Sequence, residues 1–259
     1  MSEQLMKDPA QRKARAAEKE EWVLDFLRDE IYSTTAILSV EMGVGERAAR
    51  TVLNRMEKKG LLVRDEVKFM GMRAIPLWGI TSTGVLEGLT PEEVSKINLR
   101  YHSPGRVKPS TIEHTLDVQR CRQHCTIDLD YEDWVSERYF PGQNEKKNHP
   151  SRWPKYPDGI AKRPTKDGQF VPVALEVERT RKTPQRYVQV IRGHLQNIKQ
   201  KRYSRVIYYC LTQKAADSLQ ALFLRLMQEK KINLYLSEDQ QYGPEQCIKL
   251  FAFRSIEEF

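Results

Sequence analysis

Residues 155–186 read KYPDGIAKRPTKDGQFVPVALEVERTRKTPQR, and the fold of the second half of the chain turns on them. The pattern predicts a strand over 156–163, a tight turn at Lys166-Asp167-Gly168 and a second strand over 169–178. Asp158 stands at the start of the first strand. Glu176 and Glu178 stand near the end of the second, two residues apart, so they project from one face. Three carboxylates on neighbouring strands can share one hard divalent cation, Mg²⁺ or Mn²⁺. Mg²⁺ takes oxygen ligands and needs only one or two carboxylates beside a substrate phosphate. Arg179, Arg181, Lys182 and Arg186 follow at once, and acid beside base suits a site that holds a metal and a phosphodiester together. The same alternation is what any half-buried strand displays, so the alternation does not by itself carry the metal reading.

Working outward, helices are predicted over 110–125, 183–201 and 214–230, and strands over 133–140, 204–211, 232–236 and 248–253, with a polar loop over 141–154. Alternation of this kind implies a mixed sheet flanked by helices, over residues 110–259. Glu137, in the strand 133–140, offers a fourth carboxylate or is an ordinary surface glutamate. Pro104, Gly105 and Pro109 mark residues 101–109 as a linker, with one more helix over 91–99.

Residues 1–100 read differently. A helix over 8–30 carries Trp22, Val23, Phe26 and Leu27 as its apolar stripe. Ser33 or Thr34 caps a short second helix, and ERAARTVLNRMEKKG forms a third that stops at Gly60. Ala48, Ala49, Val52, Leu53 and Met56 are expected inside; Arg47, Arg50, Thr51, Asn54 and Lys58 are expected outside. Strands LLVRDEV and AIPLWGIT follow, joined around Gly71. Helix, helix-turn-helix, hairpin is the order of a winged helix, and Arg47, Arg50, Asn54, Arg55 and Lys58 lie on the helix that such a fold presents to the major groove.

Pro157-Asp158-Gly159 followed by Leu175-Glu176-Val177-Glu178-Arg179 resembles the PD-(D/E)xK nuclease core. Within that superfamily it is most similar to the replication-relaxation group, which includes the MobC-type plasmid mobilisation relaxases. The resemblance implies an N-terminal winged helix followed by a restriction-endonuclease-like sheet. It also implies nicking of DNA at a plasmid transfer origin, within a relaxosome and with a coupling protein as partner. His114 and Glu137 stand at positions that recur in the group. Where the family pattern carries Lys, this chain has Glu178, so the cation must come from elsewhere, and Lys182 is the nearest nominee. Loss of that lysine also suits a non-cleaving DNA-binding regulator, and a double-strand endonuclease is the remaining alternative.

The 259 residues suffice for two modest domains. Residues 1–108 hold 18 Lys and Arg against 16 Asp and Glu, and residues 109–259 hold 25 against 19, so most of the net charge of +8 lies in the second half. That balance favours a polyanionic partner, double- or single-stranded DNA. The histidines at 102, 114, 124, 149 and 194 contain no H-x-H pair, which disfavours a histidine-cluster relaxase using a tyrosine nucleophile. Cys121, Cys125, Cys210 and Cys247 lack a second pair with ligand spacing and read as reduced core thiols. No run approaches the roughly 20 apolar residues that span a bilayer, so a cytoplasmic protein is expected.

Overall fold

The computed structural model describes residues 8–68, 73–96, 99–140, 152–235 and 241–259. Gly71 and most of the polar loop 141–154 lie outside them. The chain divides into two compact units, Met1–Leu116 and Asp117–Phe259. No helix among the described residues is long and apolar enough to cross a membrane.

The first unit opens with α1 (Pro9–Glu30), started by Asp8, whose carboxylate accepts from Ala10 N at 2.8 Å. Its inward stripe is Val23, Leu24, Phe26 and Leu27; Leu24 takes the place expected of Trp22, which is 40% exposed. After β1 (Tyr32–Ser33), Thr34 caps α2 (Thr35–Glu41), and α3 (Glu46–Lys58) follows. Ala49, Val52, Leu53 and Met56 of α3 are buried, whereas Ala48, expected among them, is exposed because the helical turn carries it past the edge of the stripe. β2 (Leu62–Val67) and β3 (Ile75–Ile80) form the hairpin, giving an antiparallel sheet in the order β1-β3-β2. Two short helices, α4 (Ser82–Leu86) and α5 (Pro91–Lys96), lead on.

Residues 101–109, expected as a linker, are partly fastened to this unit. His102 N donates to Ile80 O at 2.8 Å, and its ring Nε2 lies 2.8 Å from Asp65 Oδ2. A Cβ on Gly79 would sit 2.2 Å from that ring, so the glycine is what lets the imidazole lie on the hairpin. The division between units falls later, within α6 (Pro109–Gln123).

In the second unit α6 ends in a π turn (His124–Asp128), and β4 (Glu132–Ser136) follows. The strand expected over 133–140 is shorter because Ser136 Oγ accepts from Arg138 N at 3.4 Å and starts a 3-10 turn, Glu137–Tyr139. β5 (Gly159–Pro164) and β6 (Phe170–Glu178) form the expected hairpin, with Gly168 at φ +75° in its turn. Then come α7 (Pro184–Lys199), β7 (Val206–Cys210), α8 (Gln213–Glu229), β8 (Leu234–Tyr235), β9 (Gln241–Tyr242), α9 (Pro244–Cys247) and β10 (Phe251–Ser255). The five-stranded sheet runs β10-β7-β6-β5-β4, parallel across β10, β7 and β6 and antiparallel across β5 and β4. Period two then divides the sheet residues between two cores. Val173, Leu175, Val177 and Tyr209 pack with Val118 and Cys121 of α6. Ala174, Tyr208 and Cys210 pack with Ile191 and Leu195 of α7 and Phe223 of α8. All four cysteines are buried and unpaired.

Candidate functional site

Because β6 lies inside the sheet with a core on each face, its acidic residues are covered rather than solvent-facing. Asp158 is 9% exposed, Glu176 5% and Glu178 7%. Carboxylates at such depth require partners. Register supplies the first: Gly159 pairs with Leu175, so Asp158, one residue ahead of β5, comes opposite Glu176. Asp158 N donates to Leu175 O at 3.1 Å, and Asp158 Oδ2 accepts from Val177 N at 2.7 Å. Asp158 O accepts from Glu137 N at 3.1 Å, which brings the exposed Glu137 to the same end of the sheet.

Glu176 is held chiefly by one cation, Lys155, with the neutral ring of His194 nearby. Lys155 Nζ lies 2.5 Å from Glu176 Oε1, and His194 Nε2 on α7 lies 3.4 Å from the same oxygen. Tyr203 Oη accepts from Asn197 Nδ2 at 2.7 Å and meets His194 Nδ1 at 2.7 Å, and Asn197 Nδ2 also donates to Lys155 O at 2.6 Å. With the tyrosine proton directed to Nδ1, the neutral imidazole carries its own proton on Nε2, toward the carboxylate. Burial alone would raise the pKa of Glu176, but Lys155 and His194 outweigh it and hold it down at about 2. For Lys155, burial opposes the ammonium, yet Glu176 and Asp158 raise its pKa overall. Burial lowers the pKa of His194 against the pull of Glu176, keeping the ring neutral.

Glu178 behaves oppositely. Its carboxylate accepts from Lys182 Nζ, but burial, reinforced by Glu176 and Asp158, raises its pKa. The three expected carboxylates thus share one electrostatic neighbourhood. Lys182, nominated as the missing cation, is bound to Glu178. Lys155, which the motif did not nominate, is bound to Glu176 instead. The signal for it was its place three residues before Asp158.

Among the described residues no group of three or more His, Cys, Asp or Glu side chains is arranged to hold a metal ion. Asp158 and Glu176 alone furnish two hard carboxylates at facing register positions, within the number that Mg²⁺ takes from a protein.

A cleft of about 340 Å³ opens beside Glu178, between the ends of β6 and β7 and the start of α8. Arg179, Arg181, Lys214 and Thr212 line its polar side, with Tyr187 and Leu219 on the apolar side. Arg179 is bound to Asp117, whereas among the described residues Arg181 Nη2 is anchored by the neutral Ser218, on Oγ at 2.7 Å and O at 3.0 Å. Arg186 is exposed in the first turn of α7.

In the first unit, Arg47, Arg50, Thr51 and Lys58 lie on the exposed face of α3. Arg55 does not join them: its Nε lies 2.6 Å from Glu20 Oε1 of α1. Asn54 is half-buried and accepts from Arg64 Nη2. His114 is half-buried on α6.

No protein-family model, no curated protein and no solved structure matches the chain.

Proposed function

We propose that this chain is a metal-dependent DNA-nicking protein of the relaxase kind. Its first unit is a winged helix that binds a duplex site, and its second is a nuclease-like core that cuts one strand at a plasmid transfer origin. The observation that carries this reading is the buried pair of Asp158 and Glu176, facing each other in register, with Glu176 on the strand whose next inward acid, Glu178, lines a cleft with Arg179 and Arg181. A buried glutamate held ionised by a lysine, with an aspartate opposite it, is a perturbed acid of the kind that clusters at functional sites. Lys155 and His194 keep Glu176 a carboxylate at neutral pH. Mg²⁺ or Mn²⁺ would be held by Asp158 and Glu176, and the chemistry it supplies when bound is activation of water and charge neutralisation at the scissile phosphate. Arg181 and Lys214 offer the backbone its counter-charge from the cleft. A relaxosome partner and a coupling protein follow from the resemblance described above.

A second reading, a non-cleaving DNA-binding regulator, is favoured by the lysines already seated on Glu176 and Glu178. A supercoiled plasmid carrying the DNA that flanks this chain's own coding sequence separates the two. With Mg²⁺ or Mn²⁺ the nicking reading gives open circles, abolished by a chelator, by Asp158→Ala and by Glu176→Ala. Normal binding without any nicking would establish the regulator, and linear product a double-strand endonuclease.

A further inference from the structure

At the C-terminal ends of α7 and α8 two adjoining clefts, of about 580 Å³ and 360 Å³, share Lys199 and Leu234. Among the described residues they are lined by Arg192, Lys199, Lys201 and Lys231 and by no acidic side chain. Among the described residues none of these four cations forms an ion pair, so their charge is not neutralised there. Backbone geometry points the same way. Lys201 and Lys231 follow the last turns of α7 and α8 in the left-handed region, at φ +57° and +45°. Glycine ordinarily fills that position because it lacks the Cβ that makes it costly. A cation near a helix C-terminus is favoured by the dipole, and Lys199 satisfies that in α7. The dipole does not account for lysine at two strained positions that open on one surface. Tyr235, 51% exposed, lines the second cleft.

We propose that these clefts bind single-stranded DNA, with Lys199, Lys201, Lys231 and Arg192 along its phosphates and Tyr235 offering a ring to an unstacked base. A positive groove with an accessible aromatic is the chemistry of single-strand binding, whereas bases in a duplex are already stacked. The choice of DNA over another polyanion rests on the nicking reading, which leaves a released strand to be held.

The test is fluorescence anisotropy of the full chain with labelled oligo(dT) over a salt series. The variant combines Lys199→Ala with Lys201→Gly and Lys231→Gly; glycine suits both left-handed positions, so this chain melts no lower than the unaltered one. Binding is expected to weaken at least tenfold, and the log–log salt slope to shrink by about 2, from roughly 0.7 per phosphate contact. Tyr235→Ala is expected to weaken binding roughly tenfold with the slope unchanged. An unaltered affinity and slope in the triple variant would overturn the proposal. Equal losses on duplex DNA, or competition by polyglutamate as strong as by unlabelled oligo(dT), would overturn it in favour of a duplex or an acidic protein. None of these readouts needs cleavage: strand binding lost in the triple variant, in a chain that never nicks, removes the enzyme reading and keeps this one.

Discussion

Lys155 reaches Glu176 across Gly193. A Cβ on Gly193 would lie 2.8 Å from the Cβ of Lys155 and 3.3 Å from Pro154 O, so residues 154–155 rest directly on the backbone of α7. That close approach sets the ammonium 2.5 Å from Glu176 Oε1.

Gly193→Ala therefore crowds backbone as well as side chain, and overpacking of this kind costs about 1–3 kcal/mol. Displacement of Lys155 also removes the main force holding the Glu176 pKa down. Urea unfolding is expected to show the loss at neutral pH, and the onset of acid unfolding is expected to move to higher pH.

Glu176→Gln leaves the Lys155 ammonium, half-buried, without its carboxylate, at a cost of about 3 kcal/mol at pH 7. The pH dependence has a definite sign. The folded pKa of Glu176, about 2, lies below the ordinary 4.5, so its contribution is complete above 4.5 and is lost as pH falls through 2. The lowered pKa of His194 adds a loss that begins as pH falls below 6.5. Stability curves from pH 7 to 2 should show both parts in the unaltered chain, with the part below 4.5 reduced in the variant.

Asp158 has two separable roles. Asp158→Ala leaves the buried Val177 N–H unpaired and is expected to cost about 1–3 kcal/mol. Asp158→Asn retains an oxygen acceptor for that N–H but not the charge. Under the nicking reading it keeps the melting temperature close to that of the unaltered chain while plasmid nicking is lost, a split that calorimetry and the plasmid assay together measure.

Arg47 and Arg55 are separated by their surroundings. Arg47→Ala with Arg50→Ala is expected to lower duplex affinity and reduce the salt slope by about 2, from roughly 0.9 per phosphate contact. Arg55→Ala removes a partner of Glu20 and is expected to cost up to about 1 kcal/mol of stability, with little change in slope. Anisotropy with duplex DNA and thermal melting distinguish the two.

Local pattern carried much of the architecture. The turn at Gly168, the Thr34 cap and the alternation in VPVALEVE each predict an element that the chain forms, because each acts over a few residues. Period-two patterning overextends the strand 133–140 because the turn at Ser136 is made by a single side-chain bond that such patterning does not detect. Trp22 and Ala48 lie outside the stripe that helical periodicity assigns them, because that periodicity fixes the stripe only to within one position.

The amino-acid order by itself determined that Glu176 and Glu178 share one face of a strand and that cations follow them, since these are consequences of chain geometry. Only the tertiary structure decided that this face lies beneath α7, that Lys155 rather than Lys182 meets Glu176, and that Arg55 is spent on Glu20. Those pairings join residues up to 35 apart, and the choice among several available lysines and arginines is made by packing and desolvation, which no local spacing encodes.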